Sequence, residues 1–294
     1  MTDAELKAII EKSKGIGLAI DCAAALLQKI NRLESHVEYA PLISQLKSAA
    51  EQGDFRGRVL EINFSDYFIR RQVRLQYGAK QGMSGDIDFL WRIDGNHLFI
   101  EMKLLRQCQY TAHDMLSQLK EREFSFNEIT EATRDVARIQ RDIFEKSSTK
   151  KFNPKPKANW INLVAVDVSE LQLGMIDIID CLVAIGGYAS LEEHSCEFQE
   201  YSAVVGVFES LNKQLTAKQC EWLKLYHKSS ATSAPHPREY IHGVMFLFRD
   251  PRETAALAYD IKCILVWNPT LIDCQRAKNI SVIIYDVIPE LENC

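Results

Sequence analysis

The strongest constraint on this chain is a pair of period-two runs, Asp86 to Ile93 and His97 to Leu104, joined through Asp94-Gly95. An Asp-Gly pair between alternating apolar residues is among the strongest short-range hairpin signals, because the tight turn needs positive φ at both central residues. With that turn, Ile93 opposes Asn96 and Arg92 opposes His97, which brings Asp88 opposite Glu101 and Asp86 opposite Lys103. Alternation then places those four ionic side chains on one sheet face and Ile87, Phe89, Trp91, Leu98, Ile100 and Met102 on the other.

Opposed carboxylates on neighbouring strands lie roughly 5 Å apart at Cβ and repel unless a cation stands between them. A hard divalent ion answers that need: Mg²⁺, with Mn²⁺ as a substitute, is typically held by one or two carboxylates and completes its shell with water and substrate phosphate. Lys103, two residues beyond Glu101, reaches the same face and is placed to orient water or stabilise developing negative charge. These are the parts of metal-assisted phosphodiester hydrolysis. The alternative is a surface ion network with Lys103 as the balancing charge. Acids are depleted in strands and isolated surface pairs add little stability, so the site reading is preferred.

On either side of the hairpin the chain alternates helix and strand. Residues 1–52 read as an N-terminal helical subdomain. Thr2-x-x-Glu5 is a capping box, and Leu6, Ile9, Ile10, Leu26, Leu27, Ile30 and Leu33 keep helical spacing across an interruption at Gly15-Ile16-Gly17. Arg56 to Ile69 predicts a helix and Gln72 to Tyr77 a strand. Thr111 to Phe124 and Ile129 to Ile143 predict helices, and Trp160 to Val168 a buried strand. Helices are expected near 175–185, 201–211 and 217–227, and strands near 240–248, 262–267 and 281–287, an alternation that extends the same sheet.

The totals agree with an α/β protein: 294 residues, 47% of them hydrophobic, can bury a full core. Eight cysteines without a CxxC pair exclude a zinc knuckle and suggest free thiols in a reducing compartment. An acidic start, Met1-Thr2-Asp3-Ala4-Glu5, and no apolar run of membrane-spanning length lead us to expect a cytoplasmic protein that does not enter a membrane. Charge is uneven: residues 1–157 hold 25 Lys and Arg against 22 Asp and Glu, and residues 158–294 hold 10 against 18. The first part therefore leaves room for a polyanion-binding face that the net charge of −5 conceals.

Gly85-Asp86-Ile87-Asp88, followed after the hairpin turn by Glu101-Met102-Lys103, resembles the PD-(D/E)XK nuclease superfamily in the form Gly-x-x-Asp and Glu-x-Lys, over about residues 56–168. The resemblance implies a restriction-endonuclease-like α/β fold, a mixed central sheet of αβββαβ order flanked by helices. On this chain the core is expected over 53–170, and the continuing alternation of strand and helix makes 171–294 a C-terminal α/β extension. It also implies a Mg²⁺-dependent nuclease acting on DNA, of restriction, repair or phage-defence type. Carried onto this chain, Asp88 and Glu101 become metal ligands, the Met102 carbonyl a third, and Lys103 the catalytic lysine. Glu61 stands at the helix position where such nucleases often add an acidic ligand, and Gln118 matches a glutamine found in some branches after the lysine. The chain departs from the pattern in having no proline before the aspartate, and Asp86 offers a second assignment for the first acid.

Arg134, Arg138 and Arg141 form a stripe opposite the apolar face of their helix. Lys146, Lys150, Lys151, Lys155 and Lys157 follow with no acid among residues 146–157. Backbone phosphate binding matches this pattern, and a solvated face neutralised by Glu131, Asp135, Asp142 and Glu145 is its alternative. No HExxH, GxSxG, P-loop or GxGxxG is present. The expected partner is DNA, with RNA second, and a homodimer is compatible with the sequence. The rival function is a catalytically inactive nucleic-acid-binding or interaction module that keeps the nuclease fold.

Overall fold

The computed structural model describes residues 1–12, 21–49, 52–105, 132–168, 176–194, 198–211, 214–227, 235–249 and 258–291. The helix expected at 111–124, with Gln118, lies outside these residues. In chain order the first elements are α1 (Asp3–Lys12), α2 (Asp21–Glu34), α3 (Ala40–Ser48), α4 (Gln52–Arg70), β1 (Leu75–Ala79), β2 (Ile87–Ile93) and β3 (Asn96–Leu104). There follow α5 (Ala132–Lys146), β4 (Trp160–Asp167), α6 (Ile178–Gly186), α7 (Ala217–Tyr226), β5 (Gly243–Arg249), β6 (Ile261–Trp267) and α8 (Cys274–Val287). The chain forms two compact units, one of residues 1–104, 147–167 and 240–294, the other of 105–146 and 168–239.

The first unit holds a six-stranded sheet in the order β1-β2-β3-β4-β5-β6. β3 and β4 run parallel, as do β4 and β5, and the remaining pairs are antiparallel. The Asp94-Gly95 turn forms as expected, with φ of 44° and 76°, and the β2–β3 register runs from Phe89 opposite Ile100 to Ile93 opposite Asn96. Phe89, Trp91, Leu98, Ile100 and Met102 share one core with the strand residues Ile161, Leu163, Met245 and Leu247 and with apolar residues of α1 to α4 and α8. Phe64 of α4 stacks on Phe89 at 5.3 Å, and Phe68 meets Trp91 edge-on at 4.9 Å, fixing α4 across the hairpin. The opposite face is less purely ionic than alternation suggested. Its Leu90, Phe99, Val164, Val166, Val244 and Phe246 are buried beside Glu101.

Three expected elements differ. The strand expected from Gln72 starts at Leu75, because Gln72 adopts a left-handed φ of 60° at the turn that ends α4. Residues 281–287 belong to α8, capped by Asp273, with Ala277, Ile280, Ile284 and Val287 giving a helical rather than a period-two burial pattern. Residues 201–211 form no α-helix: a 3₁₀ turn at Gln199–Ala203 leads into a β-branched run. There Gly206 passes so close to Gly187 that a Cβ on it would meet the Gly187 nitrogen at 2.2 Å.

In the second unit, Gln140 of α5 is fully buried and donates to the carbonyls of Ala184, at 2.9 Å, and Val205, at 2.8 Å. Its own oxygen accepts from Trp222 Nε1 at 3.0 Å and meets His227 Nε2 at 3.2 Å. One amide thereby ties α5, α6, the segment after the 3₁₀ turn and α7 together. No described helix is long and apolar enough to cross a membrane.

Candidate active site

The hairpin ladder ends one residue before the acids. Beyond Phe89 opposite Ile100 no further β2–β3 pair forms, and in the gap Asp88 Oδ2 accepts the Met102 backbone N–H at 2.7 Å. A side-chain carboxylate thus satisfies the amide that a continued ladder would have used. Because the N–H and C=O of a strand residue point to the same side, the Met102 carbonyl also faces this gap. Asp88 keeps partial exposure, as does Lys103. Asp86 does not share the strand: it precedes β2, is exposed, and pairs with Lys80 at 3.2 Å instead of opposing Lys103. Of the two candidate first acids, Asp88 is the one at the strand end.

Glu61 reaches the same neighbourhood from α4. Arg58, one turn earlier, donates from one nitrogen to both carboxylate oxygens at 2.7 Å, and the Tyr77 hydroxyl of β1 donates at 2.8 Å. Burial, and next the charge of Asp88, push Glu61 up to about 7 against the opposing pull of Arg58 and Tyr77. Burial and the Glu61 charge likewise raise the Tyr77 phenol. Glu61 and Asp88 therefore interact as like charges. Arg58 could have been found from its i,i+3 spacing to Glu61, whereas Tyr77 becomes a partner only when β1 packs beside α4.

Glu101 is fully buried and ion-paired with Lys151 Nζ. The cation that the opposed acids called for is, in this structure, a lysine from the loop after α5. That loop is anchored at several points. Gly85 N donates to Lys150 O at 2.7 Å, Asn153 N to Gln81 Oε1 at 2.8 Å, and Phe152 is fully buried. Gln81 is held in turn by Asn162, at 2.5 Å. A Cβ at Gly85 would meet Lys151 Cγ at 3.0 Å and Lys150 O at 3.1 Å, so the glycine of the Gly-x-x-Asp run lets the lysine loop approach. Sequence reasoning assigned Lys151 to phosphate binding and missed this contact.

The other basic residues fall into two groups. Lys150, Lys155 and Lys157 are exposed on the first unit, with Lys157 Nζ 5.0 Å from the Trp160 ring centre. Arg138, half-buried, and Arg141, exposed and 3.6 Å from Asp142, belong to α5 in the second unit, and the Arg134 side chain lies outside the described residues.

The donors at the strand end are hard oxygens: the Asp88 and Glu101 carboxylates and the Met102 carbonyl. Among the described residues no three His, Cys, Asp or Glu side chains form a group that could hold a metal ion unaided. Mg²⁺ does not require one, since water and phosphate complete a shell begun by one or two carboxylates. A lysine ammonium already stands on Glu101, so this carboxylate is built to meet positive charge. The donor atoms are thus of the type a hard divalent cation takes, and the cation present on Glu101 is the Lys151 ammonium. Comparison with protein-family models, with curated proteins and with solved structures returned no match.

Proposed function

We propose that the chain is a divalent-cation-dependent nuclease of the restriction-endonuclease-like class, hydrolysing phosphodiester bonds in DNA, with RNA as the second substrate class. The observation that carries this reading is the opened end of the β2–β3 ladder. There Asp88 closes onto the Met102 amide, which Glu101 and Lys103 flank on β3. The order of α4, β1, β2, β3 and β4, with β4 parallel to β3, supports the αβββαβ frame that the motif implies.

In this reading Asp88, Glu101 and the Met102 carbonyl would hold the cation, with Glu61 behind Asp88. When bound, the cation supplies Lewis-acid polarisation of the phosphate and a lowered pKa for water. The Met102 amide fixes the Asp88 carboxylate, so its orientation is set before substrate arrives. Lys103 offers an ammonium to the charge that grows on the phosphoryl oxygens. Lys150, Lys155 and Lys157 would bind backbone phosphates without reading bases.

Linear and plasmid DNA incubated with Mg²⁺ should be cut by the wild-type protein. Lys103→Ala should lower the rate by about 10²- to 10⁴-fold, and Glu101→Ala at least as much, with far-ultraviolet dichroism unchanged. Equal cutting by these variants removes the assignment. A second reading, a nucleic-acid-binding module without catalysis, is favoured by the Lys151 contact that already neutralises Glu101. It requires salt-sensitive DNA retention and no hydrolysis under any divalent cation.

A further inference from the structure

We propose that Lys151 is the exchangeable counter-cation of this site: its ammonium holds Glu101 until a divalent cation takes the carboxylate, and the released arm then engages a phosphate of the bound nucleic acid. The inference rests on the nuclease reading and adds a residue and an order of events to it.

Three observations carry it. Glu101 is fully buried, whereas the Lys151 side chain keeps 29% of its surface exposed, so the ammonium has a route to water that the carboxylate lacks. The backbone beneath Lys151 is fixed: Lys151 N and Phe152 N both donate to Ser148 O, at 2.9 and 3.0 Å, beside the Gly85 and Gln81 contacts. These contacts are made by the loop backbone and do not involve the Lys151 ammonium. Lastly, residues 146–157 contain no acid to recapture the ammonium within its own loop, and the neighbouring Lys150 and Lys155 are exposed. A divalent ion and an ammonium on one carboxylate would stand within a few ångströms of each other in a poorly solvated place, so the two occupy Glu101 in turn. An arm freed in this way is a compact, flexible charge of the kind that suits a phosphate.

The test reads metal binding and lysine accessibility rather than cleavage. Mn²⁺ is titrated into the 294-residue chain and followed by the loss of its free-ion paramagnetic resonance signal. In parallel, acetylation of Lys151 by an amine-reactive ester is quantified by mass spectrometry against exposed Lys155 as internal reference. Saturating Mn²⁺ should raise the Lys151 labelling rate relative to Lys155 by about fivefold or more, and Lys151→Gln, which keeps a hydrogen-bond donor but no charge, should bind Mn²⁺ about tenfold more tightly. A lysine that merely holds the loop would leave its own labelling rate unmoved by Mn²⁺. If Mn²⁺ binds and DNA is cut while Lys151 labelling stays constant, the exchange is overturned and the nuclease reading stands. If neither wild type nor Lys151→Gln binds Mn²⁺ at millimolar concentration, both fall. Should Lys151→Gln fail to fold, labelling of the wild-type protein decides alone.

Discussion

At the open end of β2 and β3 the buried acids lie against cations, Glu101 on Lys151 and Glu61 on Arg58, whereas in the second unit the shielded imidazoles of His227 and His236 stay neutral beside Arg238. His236 Nδ1 accepts from Arg238 N at 3.2 Å and from Nε at 2.9 Å, an arrangement that a proton on Nδ1 would abolish. Burial first, and then the Arg238 charge, bring His227 down to about 4 and His236 to about 3. Both clusters remove titratable groups from water. One sets charge against charge: Glu101 is paired with Lys151, and Glu61, though raised to about 7, is held by Arg58 and Tyr77. The other discharges its groups and leaves a hydrogen-bonded core, with Gln140 at its centre, whose work is cohesion.

The contrast breaks first at Gln140. Gln140→Leu leaves the Trp222 indole N–H without its acceptor and removes one donor each from the Val205 carbonyl and from the Ala184 carbonyl, which keeps Val207 N at 3.0 Å, and should cost about 1–3 kcal/mol in a urea unfolding series. Mn²⁺ binding should not change. A loss of metal binding in this variant would show that the two clusters are not separate systems.

Acid should distinguish them next. The two imidazoles titrate below their unfolded value near 6.5, so the unfolded chain binds more protons between about pH 6.5 and 4. Their contribution is present above that window and lost as the pH falls through it. Hydrogen exchange at the α7 amides should accelerate on going from pH 7 to 5, after correction for intrinsic rates, by an amount equivalent to about 1 kcal/mol per histidine. His236→Asn should flatten that dependence. An unchanged slope would mean that His236 is not held neutral by its surroundings.

The smallest effect is expected at Arg141, which is 71% exposed beside Asp142. Arg141→Ala should shift stability by less than about 0.5 kcal/mol, yet reduce the salt slope of DNA binding by about one if it contacts a phosphate. An unaltered slope would assign the α5 arginines to a solvated face and leave phosphate contact to the lysines of the first unit.

Much of the frame was legible before any coordinates, because it rests on local rules. Period-two alternation and the Asp94-Gly95 turn gave the β2–β3 register, and the apolar spacing of α4 and α5 marked them as helices. The errors were local too: Gln72 in a left-handed conformation, a β-branched run taken for helix, and the periodicity of α8 taken for a strand. The candidate site was legible by residue type but not by partner. Asp88, Glu101, Lys103 and Glu61 were nameable from spacing and resemblance. That Asp88 would seize the Met102 amide rather than face Glu101 across a continuous ladder depends on where β2 and β3 part, and pairing signals do not encode that point.

By itself, then, the sequence determined the turn, the pleat and the placing of two acids and a lysine near one strand end, since each follows from backbone geometry within a few residues. Only the tertiary structure decided which cation meets Glu101. Lys151 lies 50 residues further along the chain, and contacts at that separation arise from how the loop seats against Gly85 and Gln81, not from any periodicity. Long-range electrostatic pairing is a property of packed surfaces, and it becomes readable only once those surfaces have met.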